Sequence, residues 1–259
     1  MKVVILAGGR GTRITEETET VPKPMVEIGA KPILWHIMKT YSSYGFNEFI
    51  ICLGYKGYII KEYFSHYLLH MSDITIDMAK NKTDIHSSAS EPWKVTLVDT
   101  GIETMTGGRL LRVKKYLGNE PFMLTYGDGL CDINIKDLLK YHKKSKKAAT
   151  LTTIQTAGRF GILDIDEQGN VKSFLEKPQG EGSWINAGFF VLEPRVFDYL
   201  KDGDRTVWER QPLERLAQDK QLNAYRFGGF WKCMDTLRDK IELEGLLSEG
   251  KAPWQVWKK

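Results

Sequence analysis

The sequence predicts an α/β protein: a mostly parallel mixed sheet covered by helices on both faces, with antiparallel strands added late in the chain. Three observations predict it. Short apolar runs at residues 2–6, 48–53 and 122–126 have the length and continuity of buried strands. Segments of helical period separate them, the alternation that parallel sheets require. After about Gly158 the pattern changes, and residues 162–165, 171–174 and 184–191 read as strands with turn residues between them.

The elements follow in order. Gly8 and Gly9 stop the first strand. Pro32 suits the first turn of a helix whose apolar stripe is Ile33, Leu34, Ile37, Met38 and Tyr41, and Gly45 follows its end. Residues 56–67 read as a helix, 74–78 as an alternating strand and 81–92 as a polar, aperiodic loop. Residues 94–99 read as a strand, 109–117 and 135–144 as helices and 149–154 as a strand. Residues 206–218 and 237–247 read as helices. No internal repeat, low-complexity tract or flexible linker divides the 259 residues, so one domain is expected.

Bulk composition excludes several function classes. The net charge is only +4, without the clustered basic face of a nucleic-acid binder. The densest basic run, Lys143, Lys144, Lys146 and Lys147, reads as a solvated helix C-terminus, where cations suit the dipole. The N-terminal apolar run is too short for a signal peptide, and no stretch approaches the roughly 20 apolar residues of a membrane span. Cys52, Cys131 and Cys233 are far apart and odd in number, which offers no disulfide framework or zinc spacing and fits a reducing cytoplasm.

Chemistry is expected where strands end. Leu6, Ala7, Gly8, Gly9, Arg10, Gly11, Thr12 and Arg13 follow the first strand directly. Glycines let a backbone approach a bulky anion, successive N–H groups form a nest, and Arg13 adds a fork of donors suited to phosphate. The dinucleotide spacing fails, because its third glycine position is Ile14; the Walker pattern fails, because Gly11 precedes Thr12 and Arg13. A tight surface turn is the alternative. Lys23 stands between Pro22 and Pro24, which biases it toward an extended backbone and a fixed position.

Asp128 sits between Gly127 and Gly129 at the end of an apolar strand, with room for a magnesium-bound phosphate beside it. Asp235 precedes a helical segment, and spacing alone favours a helix N-cap there. Glu176 and Lys177 follow a strand and suit a sugar hydroxyl and a second phosphate; Asn186 and Gly188 offer an amide and close backbone approach to the same sugar. Ordinary surface residues and a strand bulge are the alternatives for these two pairs.

Taken together, the segments LAGGRGTR, PKP, GDG, EKP and NAG, in this order, resemble the sugar-1-phosphate nucleotidyltransferase family. Further segments, among them KPILWHIMK, GYKGYIIKEYF, EPWKVTLVDTG, MTGGRL and MDTLRDK, extend the resemblance over nearly the whole chain, toward the members that use CTP and glucose 1-phosphate. The resemblance implies a Rossmann-like nucleotidyltransferase core and a reaction giving CDP-glucose and pyrophosphate. It implies that Leu6, Ala7, Gly8, Gly9, Gly11, Thr12 and Arg13 surround the nucleotide, and that Arg13, Lys23 and Asp128 are catalytic. It further implies Mg2+ on Asp128 and Asp235, which replaces the cap reading of Asp235 or adds to it. Glu176, Lys177, Asn186 and Gly188 would hold the sugar phosphate.

Thr104 and Arg109, in a segment that differs from the thymidylyl-transferring members, are expected at the base or triphosphate. Residues 1–157 would form mainly the nucleotide-binding part and 158–259 mainly the sugar-phosphate part. A cytoplasmic homo-oligomer supplying precursors of a surface polysaccharide is also implied. Two rival readings stand beside this one: the same chemistry with dTTP or UTP, and a non-catalytic regulatory subunit that binds nucleotide.

Overall fold

The central strands carry continuous apolar runs because helices cover the sheet on both sides. The computed structural model describes residues 1–11, 20–155, 162–165, 171–175 and 184–258. Its strands are β1 (Val3–Leu6), β2 (Glu27–Ile28), β3 (Lys31–Pro32), β4 (Glu48–Leu53), β5 (Ser72–Asp77), β6 (Lys82–Ser88), β7 (Lys94–Asp99) and β8 (Phe122–Tyr126). Then follow β9 (Gly129–Cys131), β10 (Ala149–Gln155), β11 (Ile162–Ile165), β12 (Val171–Leu175), β13 (Trp184–Leu192), β14 (Leu222–Arg226) and β15 (Trp231–Cys233). The α-helices are α1 (Ile33–Ser43), α2 (Gly57–His70), α3 (Thr106–Leu117), α4 (Ile135–Ser145), α5 (Gln211–Gln218) and α6 (Leu237–Ser248).

A seven-stranded sheet in the order β14-β10-β13-β8-β1-β4-β7 forms the centre. β1 runs parallel to β4 and β8, β4 to β7, and β10 to β14; β13 alone runs against its neighbours β8 and β10. The expectation of a mostly parallel mixed sheet with antiparallel additions holds, the other addition being the β11–β12 hairpin. Alternate residues of β1 enter opposite cores: Val3 and Ile5 pack with α1, α2, α4 and α6, whereas Val4 and Leu6 pack with α3 and α5. From β1 the chain continues to β4 and β7 on one side and returns to β8 on the other. This reversal opens a crevice beyond the C-terminal ends of β1 and β8, where ligands of open α/β sheets bind.

Several elements differ from the sequence reading. Residues 81–92 contain a strand, β6, which pairs antiparallel with β5. Both faces of β6 are largely exposed, so it lacks the apolar alternation that marks a half-buried strand and that residues 74–78 show in β5. Helix α3 starts at Thr106 rather than Arg109 because Gly107 and Gly108 press against the 203–206 turn; a Cβ at Gly108 would lie 2.5 Å from the Asp204 carbonyl oxygen. The same packing keeps residues 206–210 out of the helix expected there, since Thr206 O accepts from Gly107 N and Gly108 N, and Trp208 is fully buried. Pro32 lies one residue ahead of α1, at its N-cap. Lys23 opens a 3-10 turn closed by Met25 N to Pro22 O, so the extended backbone expected at Lys23 ends at Pro22. Strands β2, β3, β9, β14 and β15, each of two to five residues, were not legible as elements.

Candidate active site

A cleft of about 750 Å³ opens at the ends of β1 and β8. Leu6, Ala7, Gly8, Gly9, Gly11, Lys23, Thr104, Arg109, Asp128, Asn186, Gly188 and Asp235 all line it, so the fold gathers these sequence candidates at one place. Thr12, Arg13, Glu176 and Lys177 lie outside the described residues.

At one end, β1 delivers the glycine-rich segment. Ala7 N donates to Cys52 O at 3.0 Å and Tyr55 N to Gly8 O at 3.1 Å, which ties the segment to the end of β4. The Arg109 side chain reaches the same place from the first turns of α3. Its guanidinium donates to Leu53 O (2.9 Å), Thr100 Oγ1 (2.7 Å), Gly8 O (3.0 Å) and Ile102 O (3.3 Å). Burial pulls the Arg109 pKa below its ordinary value, but a guanidinium stays charged in proteins. These bonds make Arg109 a brace between two backbone segments of the cleft, Gly8 and Ile102. Gly8 has to be glycine here, because a Cβ would lie 2.0 Å from Arg109 Nη1.

In the middle of the cleft, Asp128 follows β8, and the short β9–β15 ladder brings the second carboxylate alongside. Met234 N donates to Asp128 O at 2.9 Å, which sets Asp235 next to Asp128. The Lys23 ammonium donates to Asp128 Oδ2 and to Asp235 Oδ1, both at 2.6 Å. Burial alone would lower the Lys23 pKa; Asp128 and Asp235 outweigh it, and the net shift is upward.

Asp235 is not the N-cap of α6. Thr236 takes that position and forms a capping box with Asp239, because its hydroxyl reaches Asp239 N while the Asp239 carboxylate returns to Thr236 N. The Asp235 carboxylate therefore turns into the cleft.

Asp128, Cys233 and Asp235 bring potential ligand atoms within 4.8 Å of one another. Burial, with Asp128 next, pushes the Cys233 thiol pKa up, so it stays neutral and is a poor ligand for a hard cation. Two carboxylates a few ångströms apart suit a divalent ion that prefers oxygen and keeps several waters. The donor set thus fits magnesium.

On the wall built by β8 and β13, β13 presents Asn186 and Gly188, with Asn186 Oδ1 accepting from Gly188 N at 2.8 Å. Asn186 Nδ2 approaches the Tyr126 hydroxyl at 3.4 Å, and that hydroxyl donates to Glu209 Oε1 at 2.6 Å. Thr106 Oγ1 donates to Glu209 Oε2, also at 2.6 Å. Burial and the Glu209 carboxylate push the Tyr126 pKa up, so the phenol remains a donor. Trp231 Nε1 donates to Ala187 O at 2.7 Å and closes this wall.

Sequence reasoning missed Tyr126, Glu209 and Trp231, all of which line the cleft. Tyr126 carried one usable signal, its place beside Gly127 and Asp128 at a strand end. Glu209 carried none, since packing against α3 positions it.

The fold and this cleft together define an α/β protein that can hold a polyphosphate at a glycine-rich strand end, next to a carboxylate pair able to carry a divalent cation. Comparison with known proteins narrows the class. The family model described as Nucleotidyl transferase matches residues 2–239, and the chain belongs to that family. It is 59% identical to the glucose-1-phosphate cytidylyltransferase of Salmonella typhi, over 99% of this chain and 100% of that protein. It is 48% identical to the probable glucose-1-phosphate cytidylyltransferase of Bacillus subtilis, over 99% of this chain and 100% of that protein. Among solved structures it resembles HddC from Yersinia pseudotuberculosis, with a TM-score of 0.67 at 26% identity, covering 95% of this chain and 99% of that one.

Proposed function

We propose that this chain transfers CMP from CTP to α-D-glucose 1-phosphate, releasing CDP-glucose and pyrophosphate. The full-length likeness to the Salmonella typhi enzyme supports the reaction. The observation that carries the site assignment is Lys23 held between Asp128 and Asp235 in a cleft that the glycine-rich backbone, Asn186 and Gly188 also line.

In this reading an oxygen of the sugar phosphate attacks the α-phosphorus of CTP in line. The bond from that phosphorus to the bridging oxygen breaks, and its electron pair leaves with pyrophosphate. The sugar phosphate is already ionised near neutral pH, so no general base is needed and no histidine takes part. The main requirement is to bring two anions together, and positioning with positive charge supplies it. Gly8, Gly9 and Gly11 offer backbone N–H groups to the triphosphate, with Thr12 and Arg13 continuing the segment. Lys23 sits where the reacting phosphates meet, and Lys177 and Glu176 would hold the sugar phosphate and a sugar hydroxyl beside Asn186 and Gly188. Magnesium, held by Asp128 and Asp235, would supply charge that neutralises triphosphate oxygens. Thr104 and Arg109 shape the wall nearest the base, Arg109 by fixing backbone.

Residues 1–157 thus serve mainly the nucleotide and 158–259 mainly the sugar phosphate, although Asp235 crosses that division. The same reading makes the chain a cytoplasmic homo-oligomer that supplies CDP-glucose for deoxysugars of a surface polysaccharide; its three free cysteines fit a reducing compartment.

The test is pyrophosphate release from the purified protein with glucose 1-phosphate, magnesium and each of CTP, dTTP and UTP. CTP is expected to dominate. Release with dTTP or UTP alone would overturn the cytidylyl assignment, and nucleotide binding without turnover for any sugar phosphate would leave a regulatory subunit.

A further inference from the structure

Two backbone segments form the walls of the glycine-rich end of the cleft: residues 8–11, which follow β1, and residues 102–105, which lead into α3. Two side-chain links join them. On the inside, the buried Arg109 guanidinium donates to Gly8 O on one wall and Ile102 O on the other. On the outside, Arg10 of the first wall pairs with Glu103 of the second.

The two links differ in kind. Arg109 is 5% exposed and has four protein acceptors. The Arg10 and Glu103 side chains are 57% and 82% exposed, so their ion pair is readily exchanged.

Three cationic side chains line the cleft among the described residues: Arg10, Lys23 and Arg109. Lys23 is engaged by Asp128 and Asp235, and Arg109 by carbonyl and hydroxyl oxygens. Arg10 is the one whose partner is an exposed carboxylate. It also sits between Gly9 and Gly11, within the segment whose backbone faces the anion site. A triphosphate entering between the walls meets that guanidinium; a planar fork pairs with phosphate oxygens as well as with a carboxylate, and the triphosphate brings several negative charges against the single charge of an exposed side chain.

We propose that Arg10 is a triphosphate-binding residue of this chain and that Glu103 is its placeholder, parking the guanidinium across the mouth until the nucleotide displaces the carboxylate. The inference rests on the reading of this cleft as a CTP site. Glu103 then competes with the nucleotide, whereas Arg10 binds it, so removal of the two charges acts in opposite directions. A pair that merely stapled the walls together would give the same direction for both.

The experiment titrates CTP with magnesium, and no sugar phosphate, into the wild-type protein, Arg10→Met and Glu103→Gln, followed by calorimetry. Arg10→Met is expected to weaken CTP binding about tenfold, the loss of one charge-assisted contact. Glu103→Gln is expected to tighten it about threefold, the release of one exposed pair. The KM for glucose 1-phosphate stays within twofold or so of wild type in both, as expected for a contact confined to the nucleotide. Weakening in both variants, or no change in either, overturns the inference. A wild-type protein that fails to bind CTP overturns the reading of the cleft instead, which keeps the two failures apart.

Discussion

Two regions of the glycine-rich cleft are held by opposite means. At Gly8, a buried guanidinium is bonded to neutral oxygens of the chain. At Asp128, an ammonium is bonded to two carboxylates that are each about a third exposed or less. The first arrangement is a fixed part of the structure: withdrawing Arg109 would remove four hydrogen bonds to protein oxygens, each worth about 0.5–1.5 kcal/mol, although Gly8 O and Leu53 O would keep backbone donors from Tyr55 and Thr100. The second is an arrangement of charges that can be redistributed when other charges arrive. Shape is set at the nucleotide wall, and charge is managed in the middle.

The largest effect is expected where charge is managed. Lys23→Ala, Asp128→Ala and Asp235→Asn are each expected to lower kcat by roughly 100- to 1000-fold, the size of losing one strong electrostatic contact in a transition state. All three side chains are partly exposed, so the fold is expected to survive. Circular dichroism and turnover on the same samples check this. A folded Lys23→Ala protein with full turnover would remove Lys23 from the chemistry.

A smaller effect with a different signature is expected where shape is set. Gly8→Ala places a methyl group against a guanidinium that cannot easily move, because four bonds hold it. Overpacking of this kind costs about 1–3 kcal/mol. The melting temperature should fall and the KM for CTP should rise, while the KM for glucose 1-phosphate changes little. Equal changes in both KM values would show that the effect spreads along the cleft and that the two regions are not independent.

The same contrast explains what the sequence made legible. β4 and β8 were read with the boundaries the structure gives, since a strand buried on both faces is apolar almost throughout; β7, at the sheet edge and only partly buried, was bounded as well by Lys94 and Asp99. Gly8 and Asp128 were legible because each sits at the end of such a strand. The pairing of Asp128 with Asp235 depends on the three-residue strands β9 and β15, which meet across about a hundred residues and carry no local pattern. Arg109 is expected at the base or triphosphate because its segment differs from that of the thymidylyl-transferring members, and a segment difference says nothing of what the side chain touches. Only the fold shows Leu53 and Gly8 carbonyls converging on it. Of the β5–β6 ribbon, β5 is legible through its alternation at residues 74–78, whereas β6 is hidden for the opposite reason to β1: water on both faces leaves its residues polar.

The smallest effect separates two adjacent residues. Asp235 and Thr236 could each have capped α6, and the structure divides the work: Thr236 bonds to Asp239, and Asp235 faces Lys23. Thr236→Ala should then lower stability by about 1 kcal/mol, the usual loss of an N-cap. Turnover should change by less than about threefold, because a frayed first turn shifts the neighbouring carboxylate without removing it. Urea unfolding beside steady-state kinetics measures both. If Thr236→Ala lost as much turnover as Asp235→Asn, the cap and the carboxylate would be one unit, and the helix end would have to be counted within the site.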